Sequence, residues 1–155
     1  MALCKKFFTD NNDALEALND GMLRIFKNIE KYDDASGSFF NWAYTIVRNA
    51  AIDKITKEKK YFATENIDDA GGEIPDEENI FKNLEWKELY SLLDTLSPST
   101  RIVCSLFYME DYSIKEIAAR LTLSIGTVKW HLSESREKLR PVMQQYYSHQ
   151  TFRNG

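Results

Sequence analysis

From Asp13 to Tyr32, large apolar residues recur every three or four positions: Leu15, Leu18, Met22, Ile25, Phe26 and Ile29. That period predicts an amphipathic helix with one apolar stripe turned to a core. Asp13 and Glu16 have capping-box spacing at its start. The stretch DDASGS breaks the period and predicts a loop. A second helix follows in FFNWAYTIVRNAAIDKITKEKK, with Phe39, Trp42, Ala43, Ile46, Val47, Ala50 and Ile55 on its apolar stripe. Lys54, Lys57, Lys59 and Lys60 gather at its end, where cations suit the helix dipole. The period is then lost across 61–79, which holds Gly71, Gly72 and Pro75 and has the composition of a linker.

Periodicity resumes near Ile80, and Leu84, Leu89, Leu92, Leu93 and Leu96 mark a third helix. In LSPST, Ser97 suits an N-cap and Pro98 the first helical position. RIVCSLFYM predicts a largely buried helix, and Asp111-Tyr112 a turn. Ser113 and Glu116 form a capping box that opens the short helix IKEIAARL. Thr122-Leu123-Ser124 is a tight turn, and a last helix runs from Ile125 to about Arg140-Pro141. The fold class expected is all-α. Two small helical domains, 1–60 and 80–147, are joined by a flexible acidic linker over 61–79, with a tail over 148–155.

The formal net charge of −4 suggests a chain that repels polyanions. Its distribution reverses that view. Residues 1–60 carry 10 Lys/Arg and 9 Asp/Glu, residues 61–88 carry 2 and 9, and residues 89–155 carry 8 and 6. The acidity sits in the middle, between two slightly basic blocks, and fields beyond about a Debye length are screened. The linker acids are either a solvated connection or a competitor with DNA for the basic faces. Cys4 and Cys104 lie a hundred positions apart with no C-x-x-C, so neither a zinc site nor a disulfide framework is indicated. His131 and His149 make no catalytic or metal cluster, and no phosphate-cradling glycine loop is present. No apolar run approaches the roughly 18 residues of a membrane span, and MALCKKFFTDNND lacks a signal-peptide core. The expectation is a cytoplasmic, non-enzymatic protein without cofactor.

The last two helices have the makings of a helix-turn-helix. Such a motif needs a small residue where its helices cross, apolar anchors on both, and a short turn. Ala118 is the small residue; Ile117, Leu121 and Leu123 anchor the first helix and turn; Val128 and Leu132 anchor the second. Thr122 stands where many such motifs place glycine. With the anchors buried, Thr127, Lys129, Trp130, Ser133 and Arg136 remain for DNA. Lys and Arg suit phosphates and guanine edges, while Thr and Ser accept either. For Trp130, packing against a neighbouring helix competes with groove contact.

The two blocks together resemble the extracytoplasmic-function sigma factors of bacterial RNA polymerase. LDTLSPSTRIVCSLFYMEDYSIKEIAARLTLSIGTVKWHLSESREKLR is similar to the family's region 4 in Y-S-x-x-E-I-A, G-T-V-K and R-x-K-L-R. DALEALNDGMLRIFKNIEKYDDASGSFFNWAYTIVRNAAIDKI is similar to region 2 in its acidic opening, the F-x-x-W of Phe39 and Trp42, I-V-R-N and I-D. Only about twelve residues precede Asp13, which reads as an N-terminal truncation of the family pattern. The resemblance implies a partner, core RNA polymerase, docked on the helix carrying Asp13, Glu16 and Asp20. It implies capture of the minus-10 strand by Tyr32, Phe39, Trp42 and Asn49, with Lys54 and Lys57 on phosphates. The recognition helix would read the minus-35 groove, and an anti-sigma protein is a further partner that the family allows. Phe39 and Trp42 also fall on the apolar stripe, so core packing competes with strand capture. Two other readings stand beside this one: a lone helix-turn-helix regulator of the response-regulator output type, and a helical adaptor that binds no DNA.

Overall fold

The structure, a computed structural model, describes residues 1–62, Phe81 and residues 84–153. It divides into two compact units, Met1–Ala63 and Thr64–Gly155. The stretch proposed as an acidic linker lies, from residue 63 to residue 79, outside the described residues. All the regular elements among the described residues are helical.

Unit 1 contains α1 (Ala2–Lys5), α2 (Asn11–Asn28) and α3 (Phe39–Glu58), with short 3-10 turns at Ile29–Lys31 and Asp34–Ser36. α2 starts three residues earlier than the acidic pair suggested, because Asp10 is its cap and accepts from the amides of Asn12 and Asp13. Ser38 caps α3 by accepting from the Asn41 amide. Cys4, Phe7 and Phe8 are buried against this pair.

The apolar stripe expected on α2 is not the face that packs. Ile25 is buried, but Leu15, Met22, Phe26 and Ile29 are exposed, Phe26 by 82%. The packed face is Ala14, Ala17, Gly21 and Ile25, which meets Val47, Ala50, Ala51 and Ile55 of α3. Small residues win this face because they let two backbones approach closely. A Cβ built on Gly21 would lie 2.9 Å from the Cα of Val47. Gly21→Ala gains about 1 kcal/mol of helix propensity but must push a backbone aside, and overpacking costs about 1–3 kcal/mol. The variant is expected to lose about 1 kcal/mol in urea unfolding of the full chain.

Unit 2 contains α4 (Trp86–Leu93), α5 (Pro98–Tyr108), α6 (Ile114–Leu121) and α7 (Ile125–Arg153). α5 is its centre: Ile102, Val103, Cys104 and Leu106 are wholly buried. Ser97 caps it, with Pro98 in the first turn. Arg101, also buried, reaches Asp94 at 2.6 Å. Burial pushes the Cys104 thiol up to about 12 against a weaker opposing bond from Ser135, so it is a packing group and not a reactive one. His131 is fully buried on α7, and its Nδ1 lies 2.9 Å from Thr100 Oγ1 on α5. α7 does not end at Pro141 but continues to Arg153. Proline removes one intrahelical bond, yet buried Met143 keeps the next turn against the unit.

α6 and α7 form the expected helix-turn-helix. Ser113 and Glu116 make a reciprocal capping box. Ile117, Ala118, Leu121, Val128 and Leu132 are buried between the helices and α5. Thr122 adopts φ 56°, ψ 47°, and the Leu123 amide returns to the Ala118 carbonyl at 2.9 Å. The left-handed conformation costs a non-glycine residue about 1–2 kcal/mol, against about 0.5–1 kcal/mol for glycine's extra chain entropy. Thr122→Gly should therefore raise unfolding stability by about 0.5–1 kcal/mol, with the helical circular-dichroism signal unchanged.

Candidate nucleic-acid interface

In unit 1 the loop between α2 and α3 gathers three aromatic rings. Tyr32 meets Phe39 edge-on at 5.3 Å and Trp42 at 5.4 Å, and Phe39 and Trp42 are 5.7 Å apart. Tyr32 donates to the Gly37 carbonyl at 3.0 Å, and Gly37 has φ 141°, a value that excludes most side chains. The cluster borders a cavity of about 430 Å³ lined by Lys31, Tyr32, Asp33, Asn41, Trp42 and Thr45, among others. Phe39 is 46% exposed, and Tyr32 and Trp42 are half-buried. The helix core lies further along α3, from Val47 to Ile55. Trp42 thus packs on its aromatic neighbours while its ring also lines open space. Asn49 is half-buried two turns beyond Trp42. Lys31, Asn41 and Thr45 were missed from the sequence. They are polar residues within the loop and on the α3 face that carries Trp42, and the four-residue spacing of Asn41, Thr45 and Asn49 was the available signal.

The acidic and basic residues expected to serve different partners meet one another. Lys54 is 11% exposed and lies 2.5 Å from Glu16 and 3.7 Å from Asp13, and it also pairs with Glu58. Lys60 lies 2.8 Å from Asp13 and 3.1 Å from Glu58, and Tyr61 donates to Asp13 at 2.6 Å. Three carboxylates within 4.8 Å of one another have the pattern of a cation site; here the Lys54 ammonium supplies the positive charge. Three acids against two lysines leave the cluster one net negative charge. Lys57 is exposed beside it. Asp20 bonds Arg24 at 2.8 Å, and Arg24 also holds Asp53 at 2.6 Å.

In unit 2 the residues selected on the recognition helix separate into two groups. Lys129, Trp130 and Ser133 are half-exposed along one side of α7. Thr127 and Arg136 are buried. Thr127 pairs its hydroxyl with Ser124 at 2.8 Å, and its amide donates to Ser124 Oγ at 3.0 Å, so it serves the helix start. Trp130 rests edge-on against the His131 ring at 5.0 Å. Arg120, in the last turn of α6, and Ile125, at the start of α7 one turn before Lys129, are exposed and were not selected from the sequence.

Comparison with known proteins matches this pair of units. The model of Sigma-70 region 2 covers residues 1–61, and that of Sigma-70 region 4 covers residues 86–139. The chain belongs to the sigma-70 family. Curated proteins of the extracytoplasmic-function type are similar to it along most of its length. It is 26% identical over 143 residues to the sigma factor SigE of Mycolicibacterium smegmatis, covering 90% of this chain and 55% of that protein. It is 27% identical over 150 residues to SigW of Bacillus subtilis, covering 89% of this chain and 79% of the relative. The fold is similar to that of the sigma factor RpoE solved with the anti-sigma factor NepR from Bartonella quintana. That match has a TM-score of 0.51, 18% identity and coverage of 92% and 88% of the two chains.

The chain is thus an extracytoplasmic-function sigma factor with regions 2 and 4, a protein of transcription initiation by RNA polymerase and not an enzyme. Region 2 spans the α1–α3 unit, which a lone helix-turn-helix regulator would not carry. No helix among the described residues is long and apolar enough to cross a membrane.

The ion-pair cluster gives region 2 of this sigma factor a pH signature. Burial opposes ionisation of Asp13, but hydrogen bonds from Lys60 and Tyr61 outweigh it and hold the carboxyl below its ordinary range. The bond from Lys54 does the same for Glu58, against a smaller effect of burial. Carboxyls with lowered folded values stabilise above the unfolded value of about 4 and lose that stabilisation as pH falls through the folded value. Thermal unfolding followed between pH 7 and pH 2 should show midpoints declining below about pH 4. Glu58→Gln should flatten that decline.

Proposed function

We propose that this sigma factor grips its promoter at two places while polymerase supplies most of the affinity. The observation that carries the proposal is the half-exposed Tyr32–Phe39–Trp42 cluster beside an open cavity, on the same chain as a capped helix-turn-helix. Unstacked bases gain about 1–3 kcal/mol each on aromatic rings, and a cavity of about 430 Å³ has room for one. Tyr32, Phe39 and Trp42 receive the non-template strand of the minus-10 element, Asn49 contributes base discrimination, and Lys57 holds a backbone phosphate. Lys54, already surrounded by Asp13, Glu16 and Glu58, meets phosphate only after giving up one of those carboxylates. Lys129, Trp130 and Ser133 face the minus-35 major groove. Thr127 and Arg136 act from inside the unit by holding the helix in place.

Polymerase docks on the outer face of α2. There Leu15, Met22, Leu23, Phe26 and Ile29 are exposed together, more apolar surface than a lone helix leaves to water without a partner. Glu16 and Asp20 add charge beside it. An anti-sigma protein is a second occupant of the chain's surfaces, and the cytoplasm is the compartment where both polymerase and promoter are met.

The test is in vitro transcription with bacterial core polymerase freed of its own sigma, on templates carrying the upstream regions of the source genome. The chain should bind core and yield defined start sites. Trp42→Ala should lower open-complex formation about tenfold, from the loss of one stacked base, with helicity retained by circular dichroism. Failure to bind core, or core binding with no initiation on any template, defeats the proposal.

A further inference from the structure

Among the side chains around the helix-turn-helix, Trp130 and Ile125 have an apolar chemistry that the charged and hydroxyl residues do not supply, and Ile125 is the more exposed of the two. Ile125 is the first helical residue of α7 and is 44% exposed. The helix start that carries it is tightly defined. Thr122 holds the left-handed turn, the Leu123 amide returns to Ala118, and Ser124 accepts from the Thr127 amide while the Val128 amide returns to the Ser124 carbonyl. Val128 and Leu132 are wholly buried, so the roll of the helix is set. Lys129 follows Ile125 by one turn on an adjoining, half-exposed position.

Residues at the N-terminal end of a recognition helix are the ones that reach base edges. A branched alkyl group makes no hydrogen bond there. Of the four bases, only thymine offers the major groove an apolar group, its C5-methyl. Cytosine at the same place would have its N4 amine stripped of water with no acceptor in return, a penalty that disfavours it. From this geometry we infer that Ile125 is a specificity-determining residue of the upstream grip, selecting a thymine by its methyl group. The inference rests on the placement of α7 in the major groove under the proposed function.

The experiment presents a duplex library, randomised over the upstream element, to the full chain bound to core polymerase. Thymines of the selected sequence are then replaced one at a time by deoxyuridine, which removes only the methyl. One replacement should weaken binding by wild type about fourfold, the value of one buried methyl. Ile125→Ala should bind the thymine duplex about fourfold more weakly than wild type and be indifferent to that replacement. Lys129→Ala should bind more weakly with a shallower salt dependence but keep the uracil effect. Circular dichroism confirms that the variants fold. If the selection returns a preferred sequence without thymine, if no uracil replacement in it matters, or if Ile125→Ala responds to uracil as wild type does, the inference is overturned while the groove placement stands. If the selection returns no preferred sequence and Lys129→Ala is without effect, the groove placement itself fails, and the inference with it.

Discussion

The close approach of α2 to α3 at Gly21 organises the first unit. Backbone lies against backbone there, with Ala14, Ala17 and Gly21 of α2 facing Val47, Ala50 and Ala51 of α3. Because small residues fill the contact, the large ones cannot. Leu15, Met22, Phe26 and Ile29 are turned to the outside, where they form an exposed apolar surface. The same contact sets the register that brings Asp13 and Glu16 to Lys54 and Lys60 at one end of the pair. At the other end it leaves the loop from Ile29 to Ser38 to fold its aromatic residues beside the start of α3.

That register joins two functions that are separate along the chain. The acids near Asp13 are proposed for polymerase and the lysines near Lys54 for DNA, yet in the folded unit they pair with one another. An ion pair of this kind, partly shielded from water, holds the far end of α3 against α2 and lowers the charge that DNA would see. The modest positive balance of the flanking blocks has the same consequence. Neither flanking block has more than a slight positive balance, so under the proposed function affinity comes mainly from polymerase, and the side chains on DNA are left to discriminate.

In the second unit the corresponding constraint is the turn at Thr122. It sets the angle between α6 and α7, and with Val128 and Leu132 buried it determines which side of α7 faces outward. His131 and Thr100 add a polar bond between α7 and the central helix α5. The surface that results on α7 is narrow: Ile125, Lys129, Trp130 and Ser133.

Much of this was legible in the chain itself. Short-range signals with a local mechanism were read correctly: the Ser113–Glu116 box, Ser97 with Pro98, the turn at Thr122 and the helix start at Ile125. Each depends on residues within a few positions of one another, so the sequence by itself determined the number and order of most helices and the two-part, all-α design. Which face of a helix is buried is a different matter, because it depends on what the helix packs against. α2 carries two stripes, one of large residues and one of small, and the period alone favoured the large one; only its partner α3, close enough to need Gly21, decided for the small. The same holds for Thr127 and Arg136, polar residues whose place inside the unit is set by the packing of its helices, and for Lys54, whose carboxylate partners include Asp13 and Glu16 from the start of α2. Tertiary structure decided these because burial and ion pairing are properties of residues distant in sequence and adjacent in space.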